Sequence, residues 1–184
     1  MGAETGGPGL RAAVAAAASP VPLDTKLLSL VFGQGRSDHA RFVAAQVPSV
    51  FFTDATGPCY HDVDDEFGVV DFRKLERQVV VGTALVRDLA NRPDRFAFAA
   101  SNPLATFADA VAVLNLVERA VADLARFPAA QRQQILTFRD ALAAIVADGE
   151  AAFGPDDVST LLSGAAGIVN GVLTWGPCDG FLAP

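Results

Sequence analysis

The chain contains few of the side chains that build metal and redox centres. Its 184 residues include two histidines, two cysteines and one tyrosine. Neither the C-x-x-C nor the H-x-x-x-H spacing of a structural zinc site occurs in the sequence, which argues against such a site. Cys59 and Cys178 each follow a Gly-Pro pair, and we interpret them as unrelated loop thiols. A disulfide between them would need an oxidising compartment, and the sequence leaves their redox state open.

Positive charge is also scarce. The sequence has 14 basic and 21 acidic residues, which gives a net charge of -7. The basic residues are scattered, whereas a surface that binds a phosphate backbone needs them clustered. No Gly-rich phosphate loop occurs either. We therefore expect no nucleic-acid partner.

Signals for export or membrane insertion are weak. Residues 12–18 are small and apolar, but Glu4 precedes them and Arg11 is the only basic residue before them. This pattern favours an Ala-rich helix over a signal peptide. Residues 158–175 are uncharged, yet their polar side chains and three glycines favour a buried helix over a membrane span. A membrane partner is thus not expected, and the sequence does not determine the cellular compartment of the protein.

The first half of the chain has the pattern of an α/β fold. Residues 27–32 and 49–53 are short apolar runs that indicate buried strands, and residues 37–45 have helical character. Asp71 is a predicted N-cap for a long helix that ends near Asn91. Two strands are too few for a covered parallel sheet, so their edges would be open to neighbouring strands. The helix after Asp71 carries one apolar stripe, formed by Phe72, Leu75, Val79, Val86 and Leu89.

The second half has a helical pattern. Prolines open three predicted helices, at residues 103, 128 and 155. In the third helix Gly164, Gly167 and Gly171 lie close to one face, which indicates close approach of another helix. The first two helices have apolar stripes that predict core packing: Leu104, Phe107, Val111, Leu114, Val117, Val121 and Leu124 in one, and Ile135, Phe138, Leu142 and Ile145 in the other.

The predicted fold class is therefore α/β in residues 1–92, with a partial sheet and flanking helices. Residues 93–184 are predicted to form an all-α helical extension of about three helices.

His61 is the residue whose position best suits metal chemistry. It lies in a loop after the predicted strand at residues 49–53, beside Tyr60 and near Asp64. Sites in open α/β sheets form beyond the carboxyl ends of strands, and carboxylates orient the second nitrogen of a metal-bound histidine. The alternative is a surface histidine in an acidic loop.

Asp38 and His39 form a second polar pair at the start of a predicted helix. An aspartate at such a position commonly caps exposed backbone amides. Ser37, Asp38 and His39 could suggest a catalytic triad, but adjacent helical residues do not face one another. We therefore expect no triad at this position.

Several of these features occur together in a known family. From Gly35 to about Ala90, the chain resembles the C-terminal part of the co-catalytic two-zinc aminopeptidases, peptidase family M28. The shared pattern is a GxSDHxxF turn, a proline before a strand, a Tyr-His pair, two acids and an aspartate that starts a long helix. The chain supplies it, in the same order and spacing, with Gly35, Ser37, Asp38, His39, Phe42, Pro48, Tyr60, His61, Asp64, Asp65, Asp71 and Leu75.

This resemblance implies roles for individual residues. His61 would bind one of two zinc ions, and Asp38 would support the metal centre through hydrogen bonds. Tyr60 would lie near the substrate pocket, and Asp64 belongs to the acidic pair beside it. The resemblance also implies the partial sheet of a zinc exopeptidase and hydrolysis of N-terminal peptide bonds. Members of the family are often secreted or periplasmic.

The chain departs from the family pattern upstream of Gly35. The family places a His-x-Asp motif, a bridging aspartate, a Glu-Glu pair and a further aspartate there, but the 34 residues before Gly35 contain no histidine and no Glu-Glu pair. At most one of the five zinc ligands is present, and no catalytic residue. We therefore expect the C-terminal fragment of an aminopeptidase-like hydrolase, inactive alone. It would bind a peptide substrate only when completed by the missing N-terminal segment. The alternative is a non-enzymatic binding or assembly module on a degenerate peptidase scaffold, such as a homo-oligomer.

Overall fold

The structure is a computed structural model that describes residues 1–33, 35, 37–53, 63, 65–99 and 104–171. Within these ranges the chain forms helices and contains no β-strand. The predicted α/β fold, with a partial zinc-exopeptidase sheet in residues 1–92, is therefore wrong. The chain divides into two compact units: unit 1 comprises residues 1–53 and 70–104, and unit 2 comprises residues 54–69 and 105–184.

The described residues of unit 1 form three α-helices: α1 (Gly7–Ala18), α2 (His39–Ala44) and α3 (Phe72–Asn91). Helix α1 is the predicted Ala-rich helix, and it has a proline in its first turn, where no intrahelical bond is lost. Helix α3 begins at the predicted cap, because the Asp71 carboxylate accepts hydrogen bonds from the backbone N–H groups of Arg73 and Lys74, both at 3.0 Å. Single 3₁₀ turns occur at Ala3–Gly6 and Leu30–Gly33.

The two predicted strands are replaced by a turn and a loop. A strand needs a ladder of successive backbone hydrogen bonds to a neighbour. The 49–53 segment instead exchanges one reciprocal pair with Met1, in which Phe51 N–H donates to Met1 O and the Met1 amine donates to Phe51 O, both at 2.9 Å. Its Ser49 N–H donates to the hydroxyl of Thr5 at 2.9 Å. Isolated bonds to the N-terminal residues thus take the place of a sheet.

The core of unit 1 lies between α1 and α3. Small side chains on α1 allow the two helices to approach closely, and Val81 and Leu85 fill the contact from α3. The Phe96 ring also packs closely against α1 at Gly9, because a Cβ atom on that glycine would lie 2.7 Å from the ring. The buried members of this core are Ala3, Leu10, Ala13, Val14, Ala17, Val81 and Leu85.

The apolar stripe predicted on α3 does not lie in this core. Val81 and Leu85 are 1% and 3% exposed, whereas Phe72, Val79 and Val86 are 59%, 57% and 65% exposed. At about 100° per residue, the two sets lie roughly a third of a turn apart on the helix. Helix α3 therefore has two adjoining apolar faces, of which α1 covers one.

Unit 2 contains α4 (Phe107–Ala122), α5 (Ala129–Asp148) and α6 (Pro155–Gly171), with 3₁₀ turns at Phe67–Val69, Leu124–Arg126 and Glu150–Ala152. The predicted helical extension is thus confirmed. All four residues of the stripe predicted on α5 are buried. On α4 the buried face is formed by Ala110, Val113 and Val117 with Asp109, so only Val117 of its predicted stripe is fully buried.

Helices α5 and α6 approach closely at Gly164. A Cβ atom at this position would lie 2.1 Å from the Phe138 ring, so only glycine fits there. Gly167 has no atom within 4 Å of its Cβ position, so the predicted close approach holds at Gly164 and not at Gly167. In the part of the chain that the structure describes, none of the helices combines the length and apolar character that a membrane crossing requires.

Candidate functional site

Most of the predicted metal-site residues fall outside the described part of the chain. This applies to His61, Tyr60 and Asp64, and also to both cysteines. Their roles therefore stay predictions. Asp38 is the predicted site residue that the structure places.

Asp38 lies exposed at the N-terminal end of α2. Its backbone carbonyl accepts a hydrogen bond from Arg41 N–H at 3.0 Å, but its carboxylate makes no capping bond to the helix. The capping role expected from the sequence is therefore absent from the described contacts. Asp38 is one of the residues that line an open surface pocket of about 400 Å³, together with Gly35, Ser37, Ala40, Arg41 and Ala44.

His39, the next residue, points into the interior of unit 1. Its side chain is 7% exposed, and its ring stacks on the Phe51 ring with centroids 4.7 Å apart and planes inclined by 18°. Gly33 borders the imidazole, because a Cβ atom on that glycine would lie 3.1 Å from His39 Nε2. Neither ring nitrogen has a hydrogen-bond partner among the described residues.

This geometry agrees with the expectation that Ser37, Asp38 and His39 form no triad. Ser37 and Asp38 are exposed and His39 is buried, so the imidazole bonds to neither side chain. A base that activates a serine must lie within hydrogen-bond reach of it. The turn therefore does not assemble a nucleophile.

The described residues also do not form a zinc site. They contain no group of three histidine, cysteine, aspartate or glutamate side chains that could hold a metal ion, whereas zinc sites use three or four protein ligands. His39 has ring nitrogens without partners, but it is enclosed by Phe51 and Gly33, and neither offers a ligand atom from its side chain. We assign no metal-dependent step to these residues.

The burial of His39 was not foreseen from the sequence. The available signal was its position between two apolar runs, residues 27–32 and 49–53: Gly33 directly follows the first run and Phe51 lies in the second. Local sequence cannot show that these runs converge on one side chain. A buried polar group without partners is rare in folded proteins, which marks His39 as the unusual residue of the turn.

Comparison with known families gives the class of the first part of the chain. Residues 4–83 have the sequence pattern of a peptidase-like hydrolase domain. The model that they match is that of peptidase family M28, so this segment is an M28-family peptidase-like fragment. The match confirms the resemblance seen from Gly35 onward and extends it back to Glu4, so that it includes α1. The family is generally zinc-dependent. No curated protein and no solved structure matches the chain.

Proposed function

We propose that the chain is the C-terminal portion of a zinc-dependent aminopeptidase-like hydrolase with a helical extension, and that it does not cleave peptides alone. The family match over residues 4–83 supports the hydrolase assignment. It includes the turn at Ser37, Asp38 and His39 and also the position of His61. The departure of the sequence from the family's ligand pattern supports the inactivity, because one imidazole does not hold zinc tightly.

The proposal assigns one zinc contact to this chain. His61 is the ligand, and Asp38, Tyr60 and Asp64 belong to the surroundings of the metal or the substrate. Zinc in such a site lowers the pKa of bound water and polarises a carbonyl group. The segment that completes the domain would supply the other zinc-coordinating side chains and would bind the peptide substrate.

Calorimetric titration of the purified chain with zinc tests this assignment. We expect weak binding that His61→Ala removes. His39→Phe is the matched control, because it replaces the only other histidine of the chain and should leave the binding unchanged. Tight binding by the unaltered chain, or weak binding that survives His61→Ala, would contradict the proposal.

The second candidate function is a non-enzymatic binding or assembly module on a peptidase-derived scaffold. The observation that favours it is the exposed apolar face of α3, formed by residues such as Phe72, Val79 and Val86. The DNA upstream of Met1 separates the two candidates. An in-frame extension that encodes the His-x-Asp and Glu-Glu motifs supports the hydrolase portion, and a promoter with a stop codon supports the module.

A further inference from the structure

The exposed face of α3 has the spacing of a helix-pairing surface. We define the α3 stripe as residues 72, 75, 79, 82, 86 and 89, which follow one another at alternating intervals of three and four. This is the heptad spacing by which helices pair along a seam. Apart from Gly82 the stripe is apolar and solvent-accessible, with Phe72, Leu75, Val79, Val86 and Leu89 all among the exposed large hydrophobic residues.

The α3 stripe is distinct from the face that α1 already covers. Val81 and Leu85 pack on α1, and the stripe adjoins them on one side. The charged residues Arg73, Arg77 and Asp88 lie on the remaining arc of the helix. A surface helix normally has one apolar face, so a second one of full helix length calls for a second contact.

The order of side chains along the stripe fits an antiparallel pair of identical helices. With a two-fold axis between residues 80 and 81, Phe72 of one copy lies opposite Leu89 of the other, and Leu75 lies opposite Val86. Val79 lies opposite Gly82, whose Cβ position has no atom within 4 Å. The valine of each copy thus fills the notch left by the glycine of the other. A parallel pair would place glycine against glycine and leave a void, which costs packing energy.

The available area is sufficient for a modest interface. The exposed parts of the five apolar side chains amount to on the order of 500 Å² per copy, so their complete burial would give about 1,000 Å² for two copies, a size typical of weak, reversible interfaces. An exposed apolar patch of this size on a single chain commonly marks an interaction site. A second copy offers an equally long apolar surface with complementary shape.

From these observations we infer that the α3 stripe is the contact surface of a homodimer, in which two copies of α3 pair antiparallel through Val79 and Gly82. This inference does not depend on hydrolase activity. It concerns the described residues of unit 1 alone.

The first test measures the molar mass of the full chain by sedimentation equilibrium over a concentration series. We expect a monomer–dimer equilibrium that Val79→Glu or Val86→Glu weakens at least tenfold, with an unchanged far-ultraviolet helix signal. Ala84→Glu is the matched control, since Ala84 is exposed on the same helix and faces away from the stripe. A monomer at all concentrations, or a dimer that tolerates both stripe variants, would overturn the inference.

A second variant distinguishes the notch from general hydrophobicity. Gly82→Leu makes the stripe more apolar and removes a residue of low helix propensity. It also fills the space that Val79 of the second copy needs, so we expect a weaker dimer. A stronger dimer would show that the helices do not meet at Gly82.

Disulfide trapping tests the orientation. Leu75→Cys and Val86→Cys are introduced separately into a Cys59→Ser, Cys178→Ser background, and the two proteins are mixed and oxidised. The antiparallel arrangement predicts a mixed disulfide between the two variants. Disulfides within each variant alone would indicate parallel helices and would contradict the inference. A monomer that binds a separate peptidase domain through the same stripe would also overturn it.

Discussion

The imidazole of His39 stacks on the ring of Phe51, with centroids 4.7 Å apart and an interplanar angle of 18°. The contact joins the first residue of α2 to a loop 12 positions further along the chain. Because neither imidazole nitrogen has a partner in the described contacts, the ring is held by stacking and burial instead of hydrogen bonds. His39 therefore behaves as an aromatic core residue.

His39→Phe should leave the free energy of unfolding unchanged or raise it by about 1 kcal/mol, because it keeps a stacked ring and removes two buried polar atoms without partners. His39→Ala removes the ring and leaves a cavity, so we expect a loss of about 2–3 kcal/mol. Urea denaturation of both variants measures the difference. Equal destabilisation by the two substitutions would show that the nitrogens of His39 are engaged in a bond.

Gly164→Ala should destabilise unit 2 by about 1–3 kcal/mol, because the added methyl group overlaps the Phe138 ring and forces α5 and α6 apart. Gly167→Ala, in the same helix with open space at the Cβ position, should stabilise by about 0.5–1 kcal/mol through helix propensity. Thermal unfolding followed by circular dichroism measures both. Similar effects of the two substitutions would contradict the packing described here.

Thr106→Ala should lower the unfolding free energy by about 1–2 kcal/mol, because it breaks the capping box at the start of α4. In that box the Thr106 hydroxyl and N–H both donate to the buried Asp109 carboxylate at 2.7 Å, and Asp109 N–H donates to the hydroxyl at 3.3 Å. Thr106→Ser keeps these groups and should lose less than half as much. Guanidinium denaturation distinguishes the two variants, and equal losses would assign the effect to the methyl group of Thr106.

The helices were predictable where local chemistry decides the outcome. The stripe of α5 and the Asp71 cap of α3 depend on residues within one or two turns, and both were correct. The two strands were not predictable, because an apolar run becomes a strand only beside a partner strand. In the described residues, the runs at 27–32 and 49–53 instead meet the N-terminal segment around Met1 and Gly2.

The face of α3 and the role of His39 depend on tertiary contacts that no local pattern encodes. Helix α3 has two apolar faces, and its periodicity could not show which of them packs against α1. In the structure α1 packs against Val81 and Leu85, and the stripe that starts at Phe72 stays exposed. For the site, the sequence predicted the position of Asp38 at the start of α2, but not the burial of its neighbour. The assignment of His61 depends on the resemblance, which the family match over residues 4–83 confirms at the level of the family.

The most direct test of the proposed hydrolase portion is the rate of aminoacyl-nitroanilide hydrolysis by the purified chain in the presence of zinc. We expect no rate above that of zinc-containing buffer, because under the proposed assignment the chain supplies at most one of the five ligands that the family site requires. Turnover that a chelator stops, that His61→Ala abolishes and that His39→Phe preserves would show a complete active site within these 184 residues and would contradict the proposal.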